Sequence, residues 1–325
     1  MRWVLPRKDL ESWLVFLNRD ENLIVPDGSQ GFLKYQGKVF LEGKPRLSIK
    51  EFFLPWREPL LSFEAIPGVI PTPCLPTGKK IIFGVLPCDA KAITLIARVY
   101  EKDLHFQERL RNTVLIGVIR KKEESCFCTA MGVDPFKGEG LDILVLPKDD
   151  ILLIEPLTPR GKELLPEGAR EASTEEENLY NEAMESFRKT AFVSPLWEKL
   201  KKTELLPLYE APFWEELSFP CLNCGVCTYL CPTCYCFDVQ DEVVGAKGIR
   251  VRLPDSCMFL LYSQHASGHN PRKTPLARFR NRFMHKFKYY LDEYGEPLCV
   301  GCGRCNDACP AGINLWDILK AMGEV

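Results

Sequence analysis

The chain has 325 residues, 42 Lys and Arg against 44 Asp and Glu, and 15 cysteines. That length exceeds what one small core fills and predicts two or three units. The near-neutral charge gives no global field for nucleic acid, and the cysteines suit a reducing cytoplasmic setting better than a secreted disulfide scaffold.

The N-terminus, Met1-Arg-Trp-Val-Leu-Pro-Arg-Lys, lacks the apolar core of a signal peptide, and no apolar run approaches the length of a membrane span. Leu10, Trp13, Leu14 and Leu17 recur at helical spacing and predict an amphipathic helix after Pro6. Short strands are expected at residues 23–25 and 38–41, and a Pro- and Gly-rich loop over 54–78. Residues 80–86 form an apolar run and predict a buried strand. Pro87-Cys88-Asp89 then opens a helix over 90–100, with Asp89 as its N-cap. A second apolar strand at 113–119 predicts a parallel pair with a crossover helix. Residues 141–146 and 151–154 predict a hairpin. Ser173-Thr-Glu-Glu176 is a capping box heading a helix.

Two stretches carry the chemistry. Cys221-Leu-Asn-Cys224-Gly-Val-Cys227-Thr-Tyr-Leu-Cys231-Pro232 and Cys299-Val-Gly-Cys302-Gly-Arg-Cys305-Asn-Asp-Ala-Cys309-Pro310 both read C-x2-C-x2-C-x3-C-P. That run binds [4Fe–4S] clusters, its fourth Cys serving the other cluster where two are present. Cluster I is therefore assigned Cys221, Cys224, Cys227 and Cys309, and cluster II Cys299, Cys302, Cys305 and Cys231. Zinc sites usually show two C-x2-C pairs instead. The 67 residues between the runs carry Leu276, Phe279, Phe283 and Phe287 at helical spacing. Together these features predict an α/β domain over 1–168, a helical linker over 169–216, and a mainly helical ferredoxin-like domain with two [4Fe–4S] clusters over 217–325.

Seven cysteines lie outside the runs. Cys74 is expected as a buried apolar residue. The others either pack around the clusters or build a third metal centre from Cys88, Cys126 and Cys128, with a fourth ligand from Cys234, Cys236, Cys257 or Asp89. The basic segment 272–288 is expected to be a solvated helix face, with compensation of cluster charge as the alternative. His269 is expected to be a hydrogen-bonded structural residue. No GxGxxG or GxxxxGK[ST] signature marks a nucleotide site, and no catalytic set stands out among His105, His265, His269 and His285.

The motifs Phe83-Gly-Val-Leu-Pro-Cys88-Asp89-Ala, Cys126-Phe-Cys128, Cys231-Pro-Thr-Cys-Tyr-Cys-Phe-Asp-Val-Gln-Asp241, Asp255-Ser-Cys257, Gly268-His-Asn270 and Cys299-Val-Gly-Cys-Gly-Arg-Cys305 occur in this order. Together they resemble the beta subunit of cytosolic sulfhydrogenase, the NAD(P)-linked nickel–iron hydrogenase, and are similar to the corresponding iron–sulfur subunit of anaerobic sulfite reductase. The resemblance spans residues 80–316. It departs at 262–268, where Tyr-Ser-Gln-His-Ala-Ser-Gly leads into the Gly-His-Asn motif. It implies a non-catalytic relay between a flavin subunit that binds FAD and NAD(P)H and a catalytic partner. That partner is the small and large nickel–iron hydrogenase subunits or a sirohaem subunit. A structural role, with clusters that only hold helices together, is the alternative from another class.

Overall fold

The computed structural model describes residues 1–325 apart from Ser29, Pro67 and Lys122. The chain forms two compact units, each assembled from separate segments. The first comprises Met1–Phe53, Pro76–Val193 and Val300–Cys302; the second comprises Leu54–Leu75, Ser194–Cys299 and Gly303–Val325. These limits differ from the contiguous divisions at 168 and 216. The helix Thr174–Thr190 falls in the first unit, and a piece of the expected N-terminal domain falls in the second.

The first unit is built on an eight-stranded sheet. Its centre is four parallel strands, Leu23–Pro26, Lys80–Val85, Thr113–Val118 and Ile143–Lys148. Antiparallel strands flank them: Phe32–Lys34 on one side, and Ile151–Pro156, Trp3–Pro6 and Arg170–Glu171 on the other. The central strands read as nearly continuous apolar runs because both faces are covered. On one face Ile81, Phe83, Ile116, Val118, Ile143 and Val145 meet Trp13, Leu14 and Leu17 of the helix Leu10–Leu17. On the other, Val4, Leu146 and Leu153 pack with Tyr180 of the helix Thr174–Thr190. That helix begins at Ser173 with both hydrogen bonds of the capping box in place.

Three local expectations change. The second short strand is Phe32–Lys34 and not 38–41; Asp27 Oδ1 accepts the Gly31 amide at 2.7 Å and turns the chain earlier. The crossover helix runs Pro87–Val99 with Leu86 at the N-cap, because Pro is favoured at the first helical position. Asp89 therefore sits inside the first turn, buried. The expected loop 54–78 contains the strands Glu58–Glu64 and Thr72–Pro73.

Those strands belong to the second unit. Its antiparallel sheet runs Phe237–Val244, Lys247–Pro254, Glu58–Glu64, Thr72–Pro73. Register shifts where Arg250 pairs Leu61 and Val251 pairs Pro59, leaving Leu60 as a bulge. The Leu60 carbonyl turns instead to the Cys74 amide at 2.9 Å. A buried ion pair, Arg252 with Glu58, ties the two central strands. The region between the cysteine runs thus carries a hairpin of two eight-residue strands as well as helices, a departure from the mainly helical expectation. The helical part is Pro275–Met284, continued by a π-turn over His285–Tyr289 into Tyr290–Tyr294. Trp214 stacks on Phe283 at 6.4 Å and Trp197 on Phe287 at 6.0 Å.

One carboxylate locks the edge of the parallel sheet. Asp142, 1% exposed, accepts from the Leu115 amide at 2.9 Å, Thr158 Oγ1 at 2.7 Å and Arg160 Nε at 2.6 Å. Replacing it by Ala strands the buried Leu115 amide and takes the acceptor from half-buried Thr158 and exposed Arg160, and Asp142→Ala is expected to lose about 2 kcal/mol. Denaturant unfolding of the full chain, followed by far-UV circular dichroism, checks this.

Candidate metal centre

The two cysteine runs fold alike. Asn223 has φ +52° and Gly225 +76°; the matching residues of the second run, Gly301 and Gly303, have +62° and +78°. Gly225 and Gly303 each N-cap a single helical turn, Val226–Tyr229 and Arg304–Asp307. Such curled backbone turns amide N–H groups toward one centre, a shape that suits an anion.

One cavity of the second unit is lined by Cys221, Cys224, Cys227 and Cys309, with Cys305 and Arg282 beside them. Three residues of the first run and two of the second thus share one wall; Cys221, Cys224, Cys227 and Cys309 are the set that the cross-ligation pattern assigns to cluster I, and Cys305 is assigned to cluster II. Cys231, Cys299 and Cys305, assigned to cluster II, also lie in the second unit, and Cys302 belongs to the first. Lys286 Nζ donates to Cys231 Sγ at 3.3 Å, Thr233 Oγ1 at 2.9 Å and the Leu298 carbonyl at 3.0 Å.

The charges explain what these walls are made for. Arg278, Arg282, Lys286 and Lys288 are all buried, which corrects the expected solvated face. Arg278 is satisfied by the carbonyls of Met258, Arg272 and Lys273, and Lys288 by Leu200 O and Asp292. Arg282 and Lys286 differ. Arg282 Nε is buried without a hydrogen-bond partner, and none of the three Lys286 partners is a carboxylate. Burial pushes both pKa values down, yet the surrounding thiolates push them up further and keep both cations charged: Cys227 and Cys305 for Arg282, Cys231 and Cys234 for Lys286. An iron–sulfur cluster on four thiolates carries net negative charge, so these residues fit such a group. Among the described residues no three Cys, His, Asp or Glu side chains converge as ligands of one metal ion. Ligands of a single tetrahedral zinc stand about 3.8 Å apart; the corners of a cubane are wider.

Residues 220–313 match a family described as a 4Fe-4S dicluster domain. The chain is 35% identical over 254 residues to sulfhydrogenase 2 subunit beta of Pyrococcus furiosus, covering 76% of this chain and 75% of that protein. The chain belongs to the sulfhydrogenase beta-subunit family. No solved structure matches it.

In this sulfhydrogenase-family chain the remaining cysteines fall into two groups. Cys234, Cys236 and Cys257 belong to the second unit. Cys234 is hydrogen-bonded to Cys231. A hydrogen bond from Cys257, joined by one from Tyr262, holds the Cys236 thiol down at about 6. Cys88, Cys126 and Cys128 line a cavity in the first unit, together with Cys302. The lining of that cavity does not include Asp89. Cys74 is half-buried beside the edge strand.

In the Gly-His-Asn motif the structural residue is the last. Asn270 is buried; its Nδ2 donates to Leu260 O at 2.7 Å and its Oδ1 accepts from Ser263 Oγ and the Arg272 amide, each at 2.8 Å. His265 and His269 are exposed, their rings 5.3 Å apart. His285, 3.0 Å from Tyr235 Oη, is pushed down to about 4 by burial and by Lys286. Sequence reading treated the basic segment 272–288 as a whole and did not single out Arg282 or Thr233. Nothing in a Lys- and Arg-rich helix tells which cations face inward; the i, i+4 spacing of Arg278, Arg282 and Lys286 on one face was the available signal.

Arg282→Met keeps volume and removes the charge. A unit charge at roughly 8 Å in an effective dielectric near 20 contributes about 2 kcal/mol, or about 90 mV for a one-electron couple. Losing a cation disfavours the electron-richer state, so the cluster potential is expected to fall by about that amount. A redox titration followed by EPR checks both sign and size.

Proposed function

We propose that this chain is the iron–sulfur electron-relay subunit of a multi-subunit hydrogenase complex. In this reading it carries electrons between a flavin subunit that binds FAD and NAD(P)H and the small and large nickel–iron subunits. The observation that carries it is the cavity where Cys221, Cys224 and Cys227 share a wall with Cys309 and the partnerless Arg282 Nε. The cysteines of the two runs hold two [4Fe–4S] clusters in the crossed pattern, and the clusters supply one-electron transfer. The work of the chain is positional. The paired positive-φ residues curl the backbone round the sulfurs. Arg282 and Lys286 offset cluster charge, and Lys286 also fixes the Cys231 sulfur. Burial of Cys231, Cys299 and Cys302 keeps water from those thiolates. Potentials of such couples are set by these levers: hydrogen bonds to sulfur, burial and nearby charge.

The division of labour follows the two units. The second holds most of the cluster ligands; the first, with its α/β sheet, is the docking module for a partner subunit. Among the described residues no helix is long and apolar enough to cross a membrane.

Single substitutions test the crossed pattern and the relay together. In Cys309→Ser and Cys224→Ser the same EPR signal is expected to vanish, and in Cys305→Ser the other, each with a loss of about four iron atoms per chain. Run-by-run ligation instead pairs Cys309→Ser with Cys305→Ser. In the assembled complex Cys309→Ser is expected to abolish NAD(P)H-driven hydrogen evolution while leaving dye-linked hydrogenase activity intact. Unchanged NAD(P)H-linked turnover would sink the relay assignment.

A further inference from the structure

The first unit contains a second group of thiols that the two ferredoxin-type runs do not use. Cys88 lies in the first turn of the 13-residue helix Pro87–Val99, directly beyond the strand Lys80–Val85. Cys126 and Cys128 come from the loop after the neighbouring strand Thr113–Val118. The chain's topology therefore brings all three to the carboxyl edge of the parallel strands, the usual place for a bound group in an open α/β sheet. There they line one cavity, with Lys44, Arg120 and Cys302.

The loop is held in place. The Phe127 amide donates to the Gly301 carbonyl at 2.8 Å. A Cβ on Gly301 would stand 2.6 Å from the Phe127 carbonyl oxygen and 2.7 Å from the Cys128 nitrogen, so only glycine permits the approach. Lys44 Nζ reaches Ser125 Oγ at 3.1 Å and the Cys302 carbonyl at 2.9 Å, bridging the same loop to the same run. Arg120 Nη1 takes the Gly43 carbonyl at 3.0 Å and its Nη2 the Gly84 carbonyl at 2.5 Å, which fixes a second cation at the cavity.

Three soft thiol ligands, three cations (Lys44, Arg120 and Lys121) against one carboxylate, Glu123, and a helix N-terminus form a setting for an anionic metal cluster. A single zinc ion does not suit it, because no three ligands converge on one point among the described residues.

We propose that Cys88, Cys126 and Cys128 hold a third iron–sulfur cluster at the carboxyl edge of the parallel sheet. Each thiol releases its proton on binding iron. Cys302, a residue of the second run, lines the same cavity. The fourth iron takes a small exogenous ligand. The α/β unit is then part of the wire and not only a docking surface.

The test is iron and acid-labile sulfide per chain on the anaerobically purified full-length protein, with EPR of the dithionite-reduced sample. Wild type is expected to carry about twelve iron atoms, and the triple variant Cys88→Ser, Cys126→Ser, Cys128→Ser about eight, with one EPR component lost. Cys224→Ser should lose a different component. About eight iron atoms in wild type, or an unchanged count in the triple variant, overturns the proposal and leaves the two ferredoxin-type clusters standing; zinc at these thiols overturns it too. Should the triple variant not fold, anaerobic native mass spectrometry of wild type decides: three cluster increments support the site and two refute it.

Discussion

Two buried cations without carboxylate partners govern the second unit. Taking an ammonium or guanidinium out of water costs several kcal/mol unless an opposite charge compensates it. Arg282 and Lys286 have only thiols, a hydroxyl and backbone carbonyls near them. Their compensation must come from deprotonated sulfur, and sulfur stays deprotonated when it holds metal. In the proposed reading, cluster assembly and folding of this unit are coupled. Without iron, the helix Pro275–Met284 and its continuation carry positive charge in a closed interior; with iron, that charge fixes the clusters and sets their potentials.

The rest of the unit keeps that helix where it is. Trp214, Phe279 and Phe283 pack together along it, and Trp197 stacks on Phe287, with ring separations from 4.7 to 6.4 Å. Arg278 adds three backbone carbonyls as anchors, so the cations that face sulfur and those that serve structure share one element. A shift of the helix by one residue would rotate Arg282 by about 100° away from its cavity.

Legibility followed range in sequence. The cysteine runs were readable because chelation is local: ligand spacing and the residues at positive φ lie within a dozen positions. The parallel core was readable from its apolar runs, and Ser173 and Glu176 from their fixed offset. The strand Glu58–Glu64 was hidden because its partner lies nearly two hundred residues away, while its own Pro and Glu argue for loop. The hairpin Phe237–Val244 with Lys247–Pro254 did leave a trace. Val239, Asp241 and Val243 alternate, a two-residue turn at Gly245-Ala246 follows, and Ile249, Val251 and Leu253 alternate again. The nearby cluster motif, which suggested helices, overrode it. Burial of Arg282 was not legible from the helix itself, since charge spacing looks the same toward water and toward thiolates.

The second cysteine run is fastened on either side of its ligands. Lys286 takes the carbonyl of Leu298, just before Cys299, and Lys44 takes the carbonyl of Cys302. Between them, Gly301 can accept only a bare backbone approach from the 126–128 loop. Each fastening uses a lysine ammonium or an amide on main chain, which fixes the backbone from which the thiols project. An electron arriving at such a site finds donors and dipoles already oriented, so little of the surrounding structure must move when the charge changes. That is the property a relay needs and a purely structural cluster does not. It also explains why buried Arg282 and Lys286 are placed beside a few sulfur atoms.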